Sequence, residues 1–309
     1  MKVLIVGELN VDLVLQNYHS FPELGKEVLV EDMSLTLGSA SAICAAGLAK
    51  LGTAVSFAGK VGEDPWGDLA LEKLRGLGID LRYVMRDPAI KTGITVSITS
   101  AKDRALITYL GSIAALRASD IEDTWFAGCR HLHVSSFYLQ TGLRPGLKSL
   151  LARAHRAGLT TSIDPGFDPS GLRQRDIIDT LEEADFFFPN ELELEAAGGS
   201  ADPEKALRAL DNGRTRTVAK LGARGCMMLV RGRPLRIAAF AIEPVDTTGA
   251  GDSFNAGFLH AWLGGADVEE AVRFGAACGA LSTQGLGGTA AQPTASEVRD
   301  FLAAHEVRL

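Results

Sequence analysis

The sequence predicts an α/β fold of three layers, with a mostly parallel central sheet, helices on both faces and a small β lid. From residue 131 onward, short apolar runs alternate with longer segments of helical pattern, as strands and helices do in a parallel sheet. Two β-rich stretches near residues 11–36 and 91–112 interrupt this order, and we expect them to form one inserted sheet, the lid. We therefore predict one large domain over residues 1–309.

Glycines that follow apolar runs divide the first half of the chain. Residues 3–6 form a continuous apolar run that ends at Gly7, which is typical of a strand buried on both faces. An Ala-rich segment over residues 40–51 closes with Gly52, a common residue after a helix C-terminus. We also predict a strand within 28–36, a strand at 55–58, a helix at 68–77, and a hairpin of 92–99 with 105–110 that turns at Lys102, Asp103 and Arg104.

The second half has the alternation that predicts a parallel sheet. Each short apolar or β-branched run there is followed by a helical segment. We predict strands at 131–135, 160–164, 186–188 and 217–221, helices at 147–157, 175–182, 191–197, 252–263 and 268–281, and a hairpin of 226–230 with 236–239.

Composition, charge and missing motifs exclude several function classes. The net charge of −7 disfavours partners such as nucleic acid or an anionic membrane, and no run of about 20 apolar residues predicts a membrane span. The four cysteines form no CxxC pair, so we expect reduced thiols in a cytoplasm. The sequence has neither GxxxxGK[ST] nor a GxGxxG after the first strand. His131 and His133 have no third ligand nearby, so we interpret them as packing residues rather than a metal site.

The strongest chemical signal is the run DTTGAGDSFNAGFL at residues 246–259. Gly249, Ala250 and Gly251 precede a predicted helix, so their N–H groups can point together at one spot where the helix dipole adds positive potential. Such an anion hole suits a transferring phosphoryl group. Asp252 at its rim can accept the proton of an attacking hydroxyl, and we expect the helix terminus to keep this carboxylate ionised. The alternative is a glycine-rich turn with an Asp that caps a helix.

This run resembles the C-terminal signature of the PfkB, or ribokinase-like, family of carbohydrate kinases. Weaker motifs follow in the family's order along essentially the whole chain. They are GELNVD at 7–12, GKVGEDPWG at 59–67, PNELE at 189–193 and LGARG at 221–225. The resemblance implies a ribokinase-like fold, an ATP-dependent kinase that acts on a hydroxyl of a small acceptor, ATP and Mg²⁺ as cofactors, a site for K⁺, and a homodimer through the lid.

By the same resemblance, the acceptor site comprises Asn10, Asp12, Gly38, Ser39 and Ile43. Asp12 would bind sugar hydroxyls; read alone, it could be a turn residue. The family usually has Gly at the position of Ser39 and Asn at that of Ile43. Because Ile43 offers no hydrogen bond, we predict that ribose is not the preferred acceptor; the alternative is that Ile43 packs in the core.

A second departure concerns the charge of the acceptor. The family's DPNxR segment is DPGFD here, at residues 164–168, so both the Asn and the Arg are missing. Without that Arg, an acidic or phosphorylated sugar is disfavoured.

The resemblance also implies a nucleotide site and two cation sites. The nucleotide site comprises Asn190, Lys220, Gly222, Gly225 and Ala276. Glu193 would meet Mg²⁺ largely through water, and Asp246 and Thr248 would hold K⁺. Each has a structural alternative: Asn190 and Glu193 match a capping box, the glycines could form a plain turn, Lys220 could be an exposed strand end, and the loop at 246–248 could carry no ion.

Two other functions remain open from the sequence. One is a nucleoside kinase of the same fold, for which Ile43 would suit a more apolar pocket. The other is a non-catalytic sugar- or nucleotide-binding relative, which the intact Asp252 and anion hole disfavour. In each case the partner is a small molecule, neither nucleic acid nor membrane.

Overall fold

The computed structural model describes residues 2–18, 20–99, 104–171 and 175–306. Its strands, in chain order, are β1 (Lys2–Val6), β2 (Asn10–Gln16), β3 (Asp32–Leu37), β4 (Ala54–Gly62), β5 (Asp80–Asp87), β6 (Gly93–Thr99), β7 (Arg104–Tyr109), β8 (His131–Val134), β9 (Thr160–Ile163), β10 (Phe186–Phe187), β11 (Arg216–Lys220), β12 (Cys226–Val230) and β13 (Arg233–Ile237). Its helices are α1 (Ala40–Lys50), α2 (Pro65–Gly76), α3 (Leu147–Arg156), α4 (Arg175–Leu181), α5 (Glu191–Gly198), α6 (Pro203–Ala209), α7 (Ala250–Leu263), α8 (Val268–Ser282) and α9 (Ala295–Glu306).

A nine-stranded sheet forms the centre of the molecule, in the order β13-β12-β11-β10-β9-β8-β1-β4-β5. The pairs from β11 to β5 are parallel, and only β12 and β13 join as antiparallel strands. β1 lies between β8 and β4, with Val3 opposite His131 on one side and Val55 on the other. Buried apolar clusters cover both faces, so the predicted three-layer fold with a mostly parallel sheet is confirmed.

A separate four-stranded sheet, in the order β3-β2-β6-β7, is called the small sheet below. It draws its strands from the two predicted insertions; β2 pairs parallel with β6, while the outer pairs are antiparallel. The strand predicted within 28–36 begins only at Asp32. The predicted turn at Lys102 and Asp103 lies outside the described residues.

β5, α6 and α9 were not predicted from the sequence, and the ends of several predicted helices and strands differ from those in the structure. β5 alternates charged and apolar residues because it is the edge strand of the large sheet, where Asp80 binds Lys2 at 3.0 Å. α2 begins at Pro65 because the Asp64 side chain accepts a hydrogen bond from Gly67 N and caps the helix. The second strand of the late hairpin is Arg233–Ile237 rather than 236–239, because the turn after β12 is tighter than predicted.

Aromatic packing fixes α7 on the large sheet. The ring of Phe186 lies 5.0 Å from that of Phe258 and 4.7 Å from that of Trp262, and the rings of Phe188 and Phe258 are 5.1 Å apart. Edge-to-face pairs of this kind add specific geometry to apolar burial. The start of α7 is thereby held at the edge where the parallel strands end. Within the described ranges, no helix has the length and apolarity needed to cross a bilayer.

His131 and His133 form a buried polar chain along β8. His131 contacts the hydroxyls of Thr160 at 2.8 Å and Ser162 at 2.7 Å, and His133 contacts those of Ser162 at 2.6 Å and Ser135 at 2.9 Å. Burial lowers the pKa of His133 to about 4 and that of His131 well below its usual value. These hydrogen bonds agree with a packing role. No cluster of three metal-ligating side chains occurs in the part of the chain that the structure describes.

We predict that these histidines make the fold acid-sensitive. Between about pH 6.5 and pH 4, His133 is protonated in the unfolded chain but not in the folded chain. Stability therefore falls as pH falls, by on the order of 2–3 kcal/mol for this residue. Urea unfolding at pH 7 to 4.5 should show a shallower pH dependence for His133→Asn than for wild type. The control His305→Asn should keep the wild-type slope; equal slopes for all three proteins would refute the prediction.

Candidate active site

The first residues of α7 lie between two cavities. Gly249 and Asp252 line one of about 220 Å³, called here the small-sheet cavity because β2, β3, β6 and β7 contribute to its wall. Ala250 and Gly251 line the other, of about 630 Å³, called the hairpin cavity because the turn before β12 borders it. The larger volume is in the range of small-molecule sites. One helix start therefore faces both cavities, as the junction of two ligands would require.

Gly249 makes this junction possible. It has φ +71° and caps α7, and a Cβ atom there would lie 2.8 Å from Gly288 Cα and 2.9 Å from Ile43 Cγ2. Both the conformation and the close contact require glycine. Because the first N–H groups of a helix have no partner within the helix, the turn can offer the N–H groups of Gly249 and Gly251 to an anion, while that of Ala250 donates to Thr247 O at 3.3 Å.

Asp252 lies in the first turn of α7, half-buried at the small-sheet cavity. Burial raises the pKa of this carboxyl well above its usual value, and the negative charges of Asp164, Glu8 and Glu193 add to the effect, while Lys220 opposes it. The direction of this pKa shift is opposite to the one expected from the helix terminus, because desolvation and like charges favour the neutral form of Asp252. A carboxylate with a raised pKa is a stronger proton acceptor near neutral pH.

Lys220 is buried in an ion pair rather than exposed at a strand end. Its Nζ donates to Asp164 Oδ2 at 2.6 Å, and Asn255 Nδ2 donates to the same oxygen at 2.6 Å. The Nζ atom lies 3.2 Å from where a Cβ on Gly251 would be, so its charge is beside the anion hole. The sequence analysis missed Asp164 and Asn255 as partners of Lys220, although Asp164 follows β9 at the carboxyl edge of the sheet, where such residues gather.

The predicted acceptor residues come together on the small-sheet cavity. Asn10 and Asp12 line it, and Asn10 Nδ2 donates to Asp12 Oδ1 at 3.0 Å. Gly38 lies behind them, because a Cβ there would be 2.1 Å from Asp12 Oδ1. The side chain of Asp12 therefore packs directly against the backbone that leads into α1.

Ser39 and Ile43 also line this cavity, with roles that differ from the sequence-based expectation. The Ser39 hydroxyl donates to Glu8 O and accepts from Ala42 N at 3.0 Å, so it caps α1 rather than standing free for a ligand. Ile43 packs against Gly249 and Gly288 while it forms part of the cavity wall. It therefore combines the pocket role and the packing role that the sequence left as alternatives.

The predicted nucleotide residues divide between the hairpin cavity and its border. Lys220, Gly222, Gly225 and Ala276 line the cavity. At Gly225 the φ is +85° and a Cβ would lie 2.0 Å from Ile237 O, so this turn requires glycine.

Asn190 and Glu193 form the capping box of α5, in which Glu193 N donates to Asn190 Oδ1 at 3.0 Å and Asn190 N donates to Glu193 Oε2 at 2.8 Å. Burial raises the pKa of Glu193 to about 7, and Asp164 adds to the effect. Asn190 is bridged to Lys220 in a parallel pair, so the box borders the buried charges.

Asp246 joins two loops at the edge of the small-sheet cavity. Its Oδ1 accepts from Thr248 N at 2.9 Å and Thr248 Oγ1 at 2.7 Å, and its Oδ2 accepts from Gly287 N at 2.8 Å. These bonds hold the loop before α7 to the loop after α8. The K⁺ site at Asp246 and Thr248 stays a prediction.

Comparison with known proteins identifies relatives along nearly the whole chain. The family model described as pfkB family carbohydrate kinase matches residues 1–295. The ATP-dependent ribose-1-phosphate kinase of Halopiger xanaduensis is 32% identical over 306 residues, 98% of each chain. The Arabidopsis thaliana ribokinase complexed with ribose and ATP has a TM-score of 0.86 at 25% identity and covers 97% of this chain and 98% of its own. An E. coli chain described as a ribokinase II, with ATP and Mg²⁺, has a TM-score of 0.86 at 22% identity, over 98% of this chain and 99% of that one.

We predict that Lys220 and Asp164 set the pKa of Asp252 in opposite directions. Removing the ammonium in Lys220→Met should raise that pKa further, and removing the neighbouring negative charge in Asp164→Asn should lower it. The measurement is the ¹³C carboxyl shift of Asp252 against pH, with the exposed Lys205→Met as a matched control. This account would be contradicted if the pKa of Asp252 in wild type had its ordinary value, or if Lys220→Met left that pKa unchanged.

Proposed function

The chain belongs to the pfkB family of carbohydrate kinases, and from this premise we propose that it transfers a phosphoryl group from ATP to a hydroxyl of a small sugar or sugar-like acceptor. The observation that carries the proposal is the start of α7, where Gly249 and Asp252 face one cavity and Ala250 and Gly251 face the other. With the acceptor in the small-sheet cavity and ATP in the hairpin cavity, the reacting groups would meet at this turn.

The transfer needs a proton acceptor and stabilisation of charge. Asp252 takes the proton of the acceptor hydroxyl as its oxygen attacks the γ-phosphorus, and ADP leaves on the opposite side. The N–H groups of Gly249 and Gly251 and the Lys220 ammonium would stabilise the negative charge that develops on the phosphoryl oxygens, and preorganised donors of this kind give large rate enhancements. Asp164 and Asn255 keep Lys220 in place.

Mg²⁺ fits the border of the hairpin cavity. Glu193 is a half-buried carboxyl with its pKa raised to about 7, so a nearby hydrated cation would favour its ionised form. Bound with ATP, Mg²⁺ would neutralise phosphate charge. Glu193 would hold it largely through water, because both carboxylate oxygens already accept hydrogen bonds from Asn190. K⁺ near Asp246 and Thr248 is part of this proposal.

The small sheet acts as a lid in this proposal. Its residues Val14, Thr36, Thr95 and Thr108 form one wall of the acceptor cavity, so its approach to the large domain would exclude water, which competes with the acceptor for the phosphoryl group. The homodimer through this sheet stays a prediction. The exposed apolar residues Met33 and Ile107 give it a surface.

A nucleoside kinase is the second candidate function. Ile43, Ile113 and Leu139 give the small-sheet cavity apolar surface beside its carboxylates, which an acceptor bearing a base could cover. Sugars and nucleosides tested side by side in an ADP-release assay decide between the two functions. A non-catalytic role is disfavoured, because the proposed base Asp252 and the glycine turn Gly249–Gly251 both lie between the two cavities.

We predict that Asp252→Asn loses on the order of 10²–10⁴-fold in kcat, the usual contribution of a general base. ATP binding should persist, because the anion hole and the hairpin cavity are unchanged. Coupled ADP release measures the rate and calorimetry measures ATP affinity. Asp267→Asn is the matched control, because Asp267 also lies at a helix start but caps α8 on the surface. Turnover of Asp252→Asn within a few-fold of wild type would remove Asp252 from its role.

We predict that an uncharged sugar or polyol other than ribose has the highest kcat/KM in an acceptor panel. Glu8, Asp12 and Asp252 line the small-sheet cavity, and its lining among the described residues includes no Lys or Arg, so a phosphorylated sugar would meet like charges. Ile43→Asn should improve ribose relative to the preferred acceptor, whereas Ile43→Val should leave the order unchanged. Ribose or ribose 1-phosphate as the best acceptor, or no effect of Ile43→Asn, would overturn this prediction.

A further inference from the structure

Glu8 is a buried carboxyl on the wall of the small-sheet cavity that the sequence motifs assign to no role. It follows β1, is 3% exposed and lines the cavity together with Asn10, Asp12 and Asp252. Within the described ranges, no Lys, Arg or His forms an ion pair with it. Burying an acid without a counter-charge costs free energy unless hydrogen bonds compensate.

Ser41 holds the Glu8 carboxyl in one orientation. Ser41 N donates to Oε1 at 3.2 Å and Ser41 Oγ donates to Oε2. Gly7 permits this arrangement, because a Cβ there would lie 2.0 Å from Ser41 Oγ. These neutral donors orient the carboxyl without supplying a counter-charge.

The same wall holds two serines in strained backbone conformations. Ser39 has φ +74° and Ser136 has φ +51°, a region that favours glycine. Both line the small-sheet cavity, and the Ser39 hydroxyl donates to the Glu8 carbonyl. Strain of this kind persists where the surrounding structure over-determines it, typically at ligand sites. Glu8 lines the same cavity as both strained serines and is hydrogen-bonded to Ser39 through its carbonyl.

We infer that Glu8 is a second acceptor-binding carboxyl beside Asp12, which accepts a hydrogen bond from one hydroxyl of the acceptor. The inference rests on the proposed kinase function and assigns the acceptor class more closely: a polyhydroxy molecule that presents hydroxyl donors to two neighbouring carboxyls. Asp252 receives the hydroxyl that reacts, whereas Glu8 and Asp12 hold hydroxyls that do not.

Glu8→Gln tests this inference with little change of shape. Loss of a hydrogen bond to a charged group should raise the acceptor KM by about 10- to 100-fold, while kcat and the KM for ATP stay within about threefold. An acceptor that lacks the hydroxyl bound by Glu8 should show the same rise in KM with the wild-type protein. Its KM should not rise further in Glu8→Gln. The inference would be overturned if the rise in KM caused by Glu8→Gln added to the rise caused by every deoxy acceptor, or if the acceptor KM did not change.

Ser41→Ala tests it independently, should Glu8→Gln fail to fold. Ser41 is buried and its hydroxyl orients Glu8, so the variant should raise the acceptor KM several-fold with the KM for ATP unchanged. Ser56→Ala is the matched control, because the buried Ser56 hydroxyl also donates to a carboxylate, Asp80, at 2.9 Å. Equal effects of the two variants would refute the inference. A wild-type chain that releases no ADP with any acceptor would refute the proposed function itself.

Discussion

The contact of Gly249 with Gly288 and Ile43 determines where α7 begins, and the candidate site depends on that point. A side chain at Gly249 would meet backbone at 2.8 Å, so the turn cannot shift without moving the loop after α8. The aromatic rings of Phe254 and Phe258 hold the rest of α7 on the large sheet. The N–H donors and the carboxylate at the helix start are therefore positioned before any ligand binds, which is what electrostatic catalysis requires.

Charge balance is the second constraint at this junction. Asp164 adds to the raised pKa of both Asp252 and Glu193, and Lys220 is the cation that opposes the shift. Phosphates brought to this place would be repelled by the carboxylates, so cations that arrive with the nucleotide improve the balance. Lys220 is itself kept protonated, since the combined attraction of Asp164, Glu193 and Asp252 outweighs the burial that would lower the pKa of the lysine. In the proposed function, an anionic ligand accompanied by a metal would complete this network.

Local signals predicted the parts of the structure that depend on local chemistry. The apolar run of β1 and the glycines before α7 have few other structural solutions, so the sheet and the glycine turn before α7 could be predicted from the sequence. β5 was hidden because an edge strand carries charges on its exposed face. The partnership of Lys220 with Asp164 and Asn255 joins residues 56 and 35 positions apart, and no local pattern encodes such a distance. Ser39 was predicted as a ligand contact because the sequence shows neither its positive φ nor the hydrogen bonds by which it caps α1.

The acceptor residues lie where the strands of the small sheet leave the large domain. Asn10 begins β2 and Asp12 lies within it, while β3 ends one residue before Gly38 and two before Ser39. At the third crossing, Thr92 N donates to Asp64 Oδ2 at 2.7 Å just before β6 begins. A rotation of the small sheet about these crossings would move the predicted acceptor-binding residues of β2 more than Gly249 and Lys220, which belong to the large domain and would hold the phosphates in the proposed function. The same motion would therefore close the lid and bring its residues onto the acceptor. This couples the exclusion of water to the presence of an acceptor.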